Sequence, residues 1–149
     1  MSRDAEIMAE TQRLHRFFKE CGALSIEPDF LQPADILLDL YGEDIRSRAY
    51  ITTDHFGEEK ILRPDFTVPV VQMHIATKKQ EGKYSYIGPV WRSQPYGSQK
   101  SSEYYQAGFE YFHQVEPAKA DAEVFYLFQH CTNGVDLNFE LGDMGIIRA

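Results

Sequence analysis

The sequence is short of cysteine, short of positive charge and has no long apolar run. Each shortage excludes a class of protein. Cys21 and Cys131 lie far apart and make no Cys-x-x-Cys pair, so two free thiols are expected rather than a disulfide framework or a thiolate metal site. No catalytic cysteine is expected. Fifteen Lys and Arg face 23 Asp and Glu, for a net charge of −8. A nucleic-acid surface needs the opposite balance, because cations must displace counterions from phosphates. The one basic run, Lys78, Lys79 and Lys83, is broken by Glu81 and reads as a solvated loop. No apolar stretch approaches the roughly 20 residues of a membrane span. The opening MSRDAEIMAE carries acids where a secretion signal has an apolar run, so a cytoplasmic location is expected. There is no GxGxxG, no phosphate-loop lysine motif and no GxSxG, and no cofactor is expected. His15, His55, His74, His113 and His130 are scattered without metal-ligand spacing and read as surface or packing histidines.

What remains is a chain of 149 residues, 43% apolar and 13% aromatic, without repeats or a linker. That suits one domain with a real core. Most aromatics lie between Tyr84 and Phe139, which places the main sheet there, because rings pack well on pleated surfaces. Ile7, Thr11, Leu14, Phe18 and Cys21 recur at helical spacing; a helix over residues 4–21 follows, with Asp4 as cap and Gly22 as stop. Residues 23–33 should be extended or turning, and the apolar run 34–40 should end at Gly42. Strands are expected at 48–53 and 60–63, around a turn at 54–59. Thr67 should cap a helix carrying Val68, Val71 and Ile75, with Pro69 tolerated in its first turn; Gly82 should mark the next loop. The strongest strand signals are 84–91 and 103–112, joined by the polar segment 93–102. A helix near 118–131 and a last strand at 136–142 complete the reading. The tail Met144–Ala149 is partly apolar without a stop signal, so a chain truncated at its C-terminus is expected.

Three groups of residues suggest a site. Side chains of a strand alternate between faces. One face of 104–112 therefore shows Tyr105, Ala107, Phe109 and Tyr111, suited to packing under helices. The other shows Tyr104, Gln106, Gly108, Glu110 and Phe112. A glycine weakens a strand unless something approaches its backbone closely, and a small ligand over Gly108 would suit Glu110 and Gln106. The alternative is an ordinary solvated sheet face. Asp65 and Thr67, entering a helix, could receive an ammonium group or could simply cap the helix. Arg92, at the end of a strand, could hold a carboxylate or phosphate through its planar fork, or form a surface ion pair.

Taken in order, these groups resemble the class II aminoacyl-tRNA synthetase core, specifically its histidyl branch. Arg63-Pro64-Asp65-Phe66-Thr67 is similar to that branch's Arg-Pro-Glu-Gly-Thr motif. Tyr86-Ile87-Gly88-Pro89-Val90-Trp91-Arg92 resembles the strand leading into the second class II signature, and Gln106-Ala107-Gly108-Phe109-Glu110 its return strand. The resemblance implies an α+β fold, an antiparallel sheet flanked by helices, forming the N-terminal part of such a core over residues 1–149. It implies a histidine site: Asp65, Thr67 and Gln106 on the α-ammonium, Arg92 on the carboxylate side, Glu110 facing the imidazole. Two departures matter. The signature has Arg-x-Glu where this chain has Arg92-Ser93-Gln94, and the loop Pro95–Ser102 keeps Lys100 as its only cation. Without cations around a polyanionic nucleotide, adenylate formation loses its main electrostatic stabilisation.

Gln32-Pro33-Ala34-Asp35, Gly42-Glu43-Asp44-Ile45-Arg46, the segment from Leu62 to Pro69 and Gly142-Asp143-Met144-Gly145-Ile146 resemble the regulatory subunits that pair with short-form ATP phosphoribosyltransferase. That resemblance implies a non-catalytic subunit of histidine biosynthesis. It would be a homodimer within a hetero-oligomer, with L-histidine as ligand and no membrane or nucleic-acid partner. The later class II signature and the histidine-specific segment are absent. The rival expectations are a divergent histidyl-tRNA synthetase or amino-acid-activating paralogue, and a binding module for another ligand.

Overall fold

The two segments with the strongest strand signals pair along their whole length and form the centre of the fold. In the computed structural model, which describes residues 3–112, 115–140 and 142, β5 (Gly82–Trp91) lies antiparallel to β6 (Glu103–Phe112) over ten residue pairs, from Gly82 opposite Phe112 to Trp91 opposite Glu103. A two-residue strand, β1 (Leu24–Ser25), adds to the other edge of β5 in parallel. A second small sheet has the order β2-β4-β3, all antiparallel, from β2 (Leu31–Pro33), β3 (Ile51–Thr53) and β4 (Glu59–Leu62). Four helices flank them: α1 (Arg3–Glu20), α2 (Ala34–Arg48), α3 (Thr67–Thr77) and α4 (Pro117–Cys131). The expected α+β architecture holds, with one parallel pair added.

Alternation gives the β5–β6 ribbon two faces: one packs into a core, and the other, expected to pack under helices throughout, is covered only in part, with Tyr105 55% exposed. Tyr84, Tyr86 and Val90 pack with Phe66, Val70, Ile26, Tyr104 and Phe112 into one core. His74 joins this face: its ring stacks on Phe112 at 4.0 Å, and its Nδ1 lies 3.0 Å from the Tyr84 hydroxyl. That bears out the expectation of a packing histidine. On the opposite face Phe18 of α1 meets Phe109, ring centres 6.0 Å apart, and Leu127 of α4 is buried. Ala34 and Leu37 of α2 pack with Ile61 and Val68 into a second core.

Several local expectations give way. α2 runs through Gly42 to Arg48. A helical glycine costs about 1 kcal/mol against alanine, which the packing of Ala34 and Leu37 on Ile61 offsets. The strand expected from residue 48 consequently starts at Ile51. Gly82 opens β5 instead of marking a loop. Residues 136–140 are irregular and exposed, not a strand; among the described residues no strand lies beside them to take up their backbone bonds. The turn at 54–59 forms as expected: Asp54 N–H donates to the Glu58 carbonyl and Gly57 takes φ 86°. The Asp4 side chain, His113 and the tail Met144–Ala149 lie outside the described residues, as does most of the Gly142–Ile146 motif. Among the described residues, no helix is long and apolar enough to cross a membrane.

α3 ends on Lys78, which sits at φ 57° and sends its N–H back to the Ile75 carbonyl. A left-handed conformation costs an L-residue about 1–2 kcal/mol, while glycine's extra chain entropy costs about 0.5–1 kcal/mol. Lys78→Gly should therefore stabilise the fold by about 0.5–1 kcal/mol. Urea denaturation checks this, and an unchanged or lower midpoint would contradict it.

Candidate functional site

Residues 63–67 carry the chain from β4 into α3, across the face of the ribbon that shows Gln106, Gly108 and Glu110. Thr67 stands at the first position of α3, with Phe66 rather than Thr67 in the capping place. The Thr67 N–H donates to Asp65 Oδ1 at 3.1 Å, so Asp65 serves the helix start that Thr67 was expected to serve. The Thr67 hydroxyl is thereby left for a distant partner and donates to Glu110 Oε1 at 3.0 Å. A charged acceptor offers a stronger bond than a neutral one.

A second hydroxyl converges on the same oxygen. Tyr86, directly opposite Gly108, donates to Glu110 Oε1 at 3.2 Å. Its ring occupies the space above the glycine: a Cβ at residue 108 would lie 2.2 Å from Tyr86 Cζ. The close approach that a strand glycine implies is real, and the approaching group is Tyr86. Burial, and then the neighbouring Glu110 charge, push the Tyr86 phenol well above its ordinary value, so it stays a donor. Gln106 lies on the same face with its Oε1 buried and unpartnered among the described residues. A buried acceptor without a donor costs about 1–3 kcal/mol, which a ligand N–H would relieve.

Arg92 is tied to this segment from the other side. Its Nε donates to the Pro64 carbonyl at 2.8 Å, and its guanidinium lies over the Tyr104 ring at 5.7 Å. Asp65, Thr67, Arg92, Gln106 and Glu110 thus border one face of the ribbon, linked by Thr67–Glu110, Asp65–Thr67 and Arg92–Pro64. The loop after Arg92 is closed by its N–H on the Ser102 carbonyl and fastened to α2 by the Ser93 N–H on the Arg48 carbonyl. Gln94 turns its Nε2 back to the Arg92 carbonyl at 3.2 Å, a donor role that a glutamate could not fill. Arg48 joins Lys100 around a polar hollow at the loop base. Among the described residues, no group of three or more His, Cys, Asp or Glu could hold a metal ion.

The residue sequence reasoning missed is Arg63. It is 1% exposed, yet it carries a guanidinium. Its Nε donates to the Pro89 carbonyl at 3.0 Å and its Nη1 to the Pro28 carbonyl. The Phe66 and Phe30 rings lie 4.0 and 4.7 Å from the guanidinium carbon. Burial lowers its basicity and Glu27 opposes that. The available signal was Gly88, whose missing Cβ would stand 2.9 Å from Arg63 Nη2.

Such a ribbon, with a helix entering across one face and an arginine at the mouth of a long loop, defines a class II aminoacyl-tRNA synthetase-like core. Solved structures share that fold. An ATP phosphoribosyltransferase regulatory subunit/histidyl-tRNA synthetase from Bacillus halodurans C superposes with TM-score 0.73 at 20% identity, over 93% of this chain and 36% of that one. Desulfitobacterium hafniense PylSc, a pyrrolysyl tRNA synthetase, gives 0.73 at 13% identity, over 91% and 47%. The histidyl-tRNA synthetase family matches residues 2–149, and the chain belongs to it. Within it, the chain is similar to ATP phosphoribosyltransferase regulatory subunits. That of Sinorhizobium medicae (strain WSM419) is 36% identical over 137 residues, 89% of this chain. That of Agrobacterium fabrum (strain C58 / ATCC 33970) is 40% identical over 124 residues, 80% of it. The chain spans 36% and 32% of those two relatives.

Proposed function

We propose that the chain serves as a non-catalytic regulatory subunit of a short-form ATP phosphoribosyltransferase, in histidine biosynthesis. In this reading it dimerises within a hetero-oligomer and works in the cytoplasm. L-Histidine is its ligand, held by Asp65, Thr67, Arg92, Gln106 and Glu110. The similarity to named regulatory subunits over 89% of the chain carries the reading. The site chemistry supports it: an unpartnered Gln106 acceptor and the Glu110 carboxylate on the same strand face suit a ligand rich in N–H donors. The loop supports the absence of catalysis, since Gln94 stands where an activating glutamate would and Lys100 is the only cation of residues 93–102. Feedback then requires that histidine bind one assembly state better than another.

Co-expression with a short-form ATP phosphoribosyltransferase tests this directly. Co-purification and stimulated transferase activity, lowered by added histidine, are the expected results; failure to associate or stimulate would remove the reading. The match to the histidyl-tRNA synthetase family favours one rival, a divergent amino-acid-activating enzyme. Histidine-dependent ATP–pyrophosphate exchange by the chain would establish that rival, and no exchange is expected.

A further inference from the structure

Four side chains from three parts of the sequence stack into a column that ends on the Glu110 carboxylate. The Phe30 ring lies 4.7 Å from the Arg63 guanidinium carbon, and that carbon lies 4.0 Å from the Phe66 ring centre. The Phe66 and Tyr86 rings are 4.4 Å apart and within 6° of parallel. The Tyr86 hydroxyl then reaches Glu110 Oε1. The outer end, Phe30, is 48% exposed and sits edge-on to Trp91 at 5.6 Å; Arg63 and Phe66 are each 1% exposed.

We propose that Tyr86, locked by the Phe30–Arg63–Phe66 column and by Gly108, is the positioning residue that aims Glu110 Oε2 at a ligand N–H group. The inference rests on the amino-acid-binding reading of this site. Two hydroxyl donors, Thr67 and Tyr86, hold Oε1, while Oε2 carries no bond among the described residues. A carboxylate pinned at one oxygen presents the other in a fixed direction, and pre-set geometry spares the ordering cost of binding. Tyr86 cannot swing aside, because Phe66 stacks on its ring and the space over Gly108 holds it. It cannot turn acceptor either, since a carboxylate has no proton to give and the phenol keeps its own. Asp65 is the other acid facing this phenol, so a test must separate the two carboxylates.

The test uses the full chain with two readouts. In the first, tyrosines labelled at 13Cζ are followed by NMR, with the Tyr86 signal assigned by its loss in Tyr86→Phe. Glu110→Gln should move this signal, because the hydroxyl loses its charged acceptor, and Asp65→Asn should move it far less. A signal left in place by Glu110→Gln would overturn the pairing and the proposal with it. In the second, calorimetry measures L-histidine binding. Tyr86→Phe keeps the ring on Phe66 and over Gly108, so thermal stability should barely change while histidine binds about tenfold more weakly. Wild-type affinity in Tyr86→Phe would overturn the positioning role even with the pairing intact. If the wild type binds no histidine, the ligand reading fails, and the NMR response to Glu110→Gln alone decides whether Tyr86 holds Glu110.

Discussion

Arg63→Ala should lower the unfolding free energy by about 3–5 kcal/mol. Three effects combine. The Pro28 and Pro89 carbonyls lose their donors, the first in a buried place and the second in a part-buried one. Two rings, Phe30 and Phe66, lose the flat cation between them. A long side chain that is 1% exposed leaves a cavity behind. Against a usual total of about 5–15 kcal/mol for a domain, that is a fifth or more of the stability. Arg63→Lys should recover only part of it, because an ammonium cannot lie flat between rings while serving two separated carbonyls. Urea titration of the three proteins checks the order, and a loss below about 1 kcal/mol in Arg63→Ala would contradict the packing argument.

Gly108→Ala should cost about 1–3 kcal/mol or more, a large effect for one methyl group. The new Cβ would lie 2.2 Å from both Cζ and Oη of Tyr86. The ring has little room to retreat, since Phe66 stacks on it with centroids 4.4 Å apart. Relief must come from moving the strand or the tyrosine, and either breaks the Tyr86–Glu110 bond. Removing the obstacle supplies the control. Gly108→Ala in a Tyr86→Ala background should cost at least about 1 kcal/mol less than in the wild type, because contacting residues couple by this order. Equal costs in both backgrounds would show that the glycine serves some other need.

Both variants concern long-range encounters, and here sequence reading reached its limit. β6 was legible to the residue: alternation over 104–112 set its two faces, and the structure packs Phe109 under α1 and turns Glu110 to the α3 side. Local rules failed where a distant partner outbid a near one. Thr67 is a good capping residue by type, yet Asp65 meets its N–H and its hydroxyl goes to Glu110, 43 residues away. Gly42 is a good helix stop by type, yet α2 continues to Arg48. A strand glycine marks a point of close approach, and a small ligand over Gly108 was the expectation; the pairing of Tyr86 with Gly108 puts the tyrosine ring there instead.

By itself, then, the sequence determined the strong elements and the residues available to a site, because hydrophobic period, turn residues and strand alternation act over a few neighbours. It also set the acidic balance and the cation-poor loop after Arg92, which are matters of composition. The tertiary structure alone decided that Arg63 is buried between rings, that Tyr86 covers Gly108, and that two hydroxyls share one oxygen of Glu110. Those outcomes depend on cross-strand register and on which backbone carbonyls are left without donors. Tyr86 and Gly108, 22 positions apart, and Thr67 and Glu110, 43 apart, come together only after the sheet and α3 are packed.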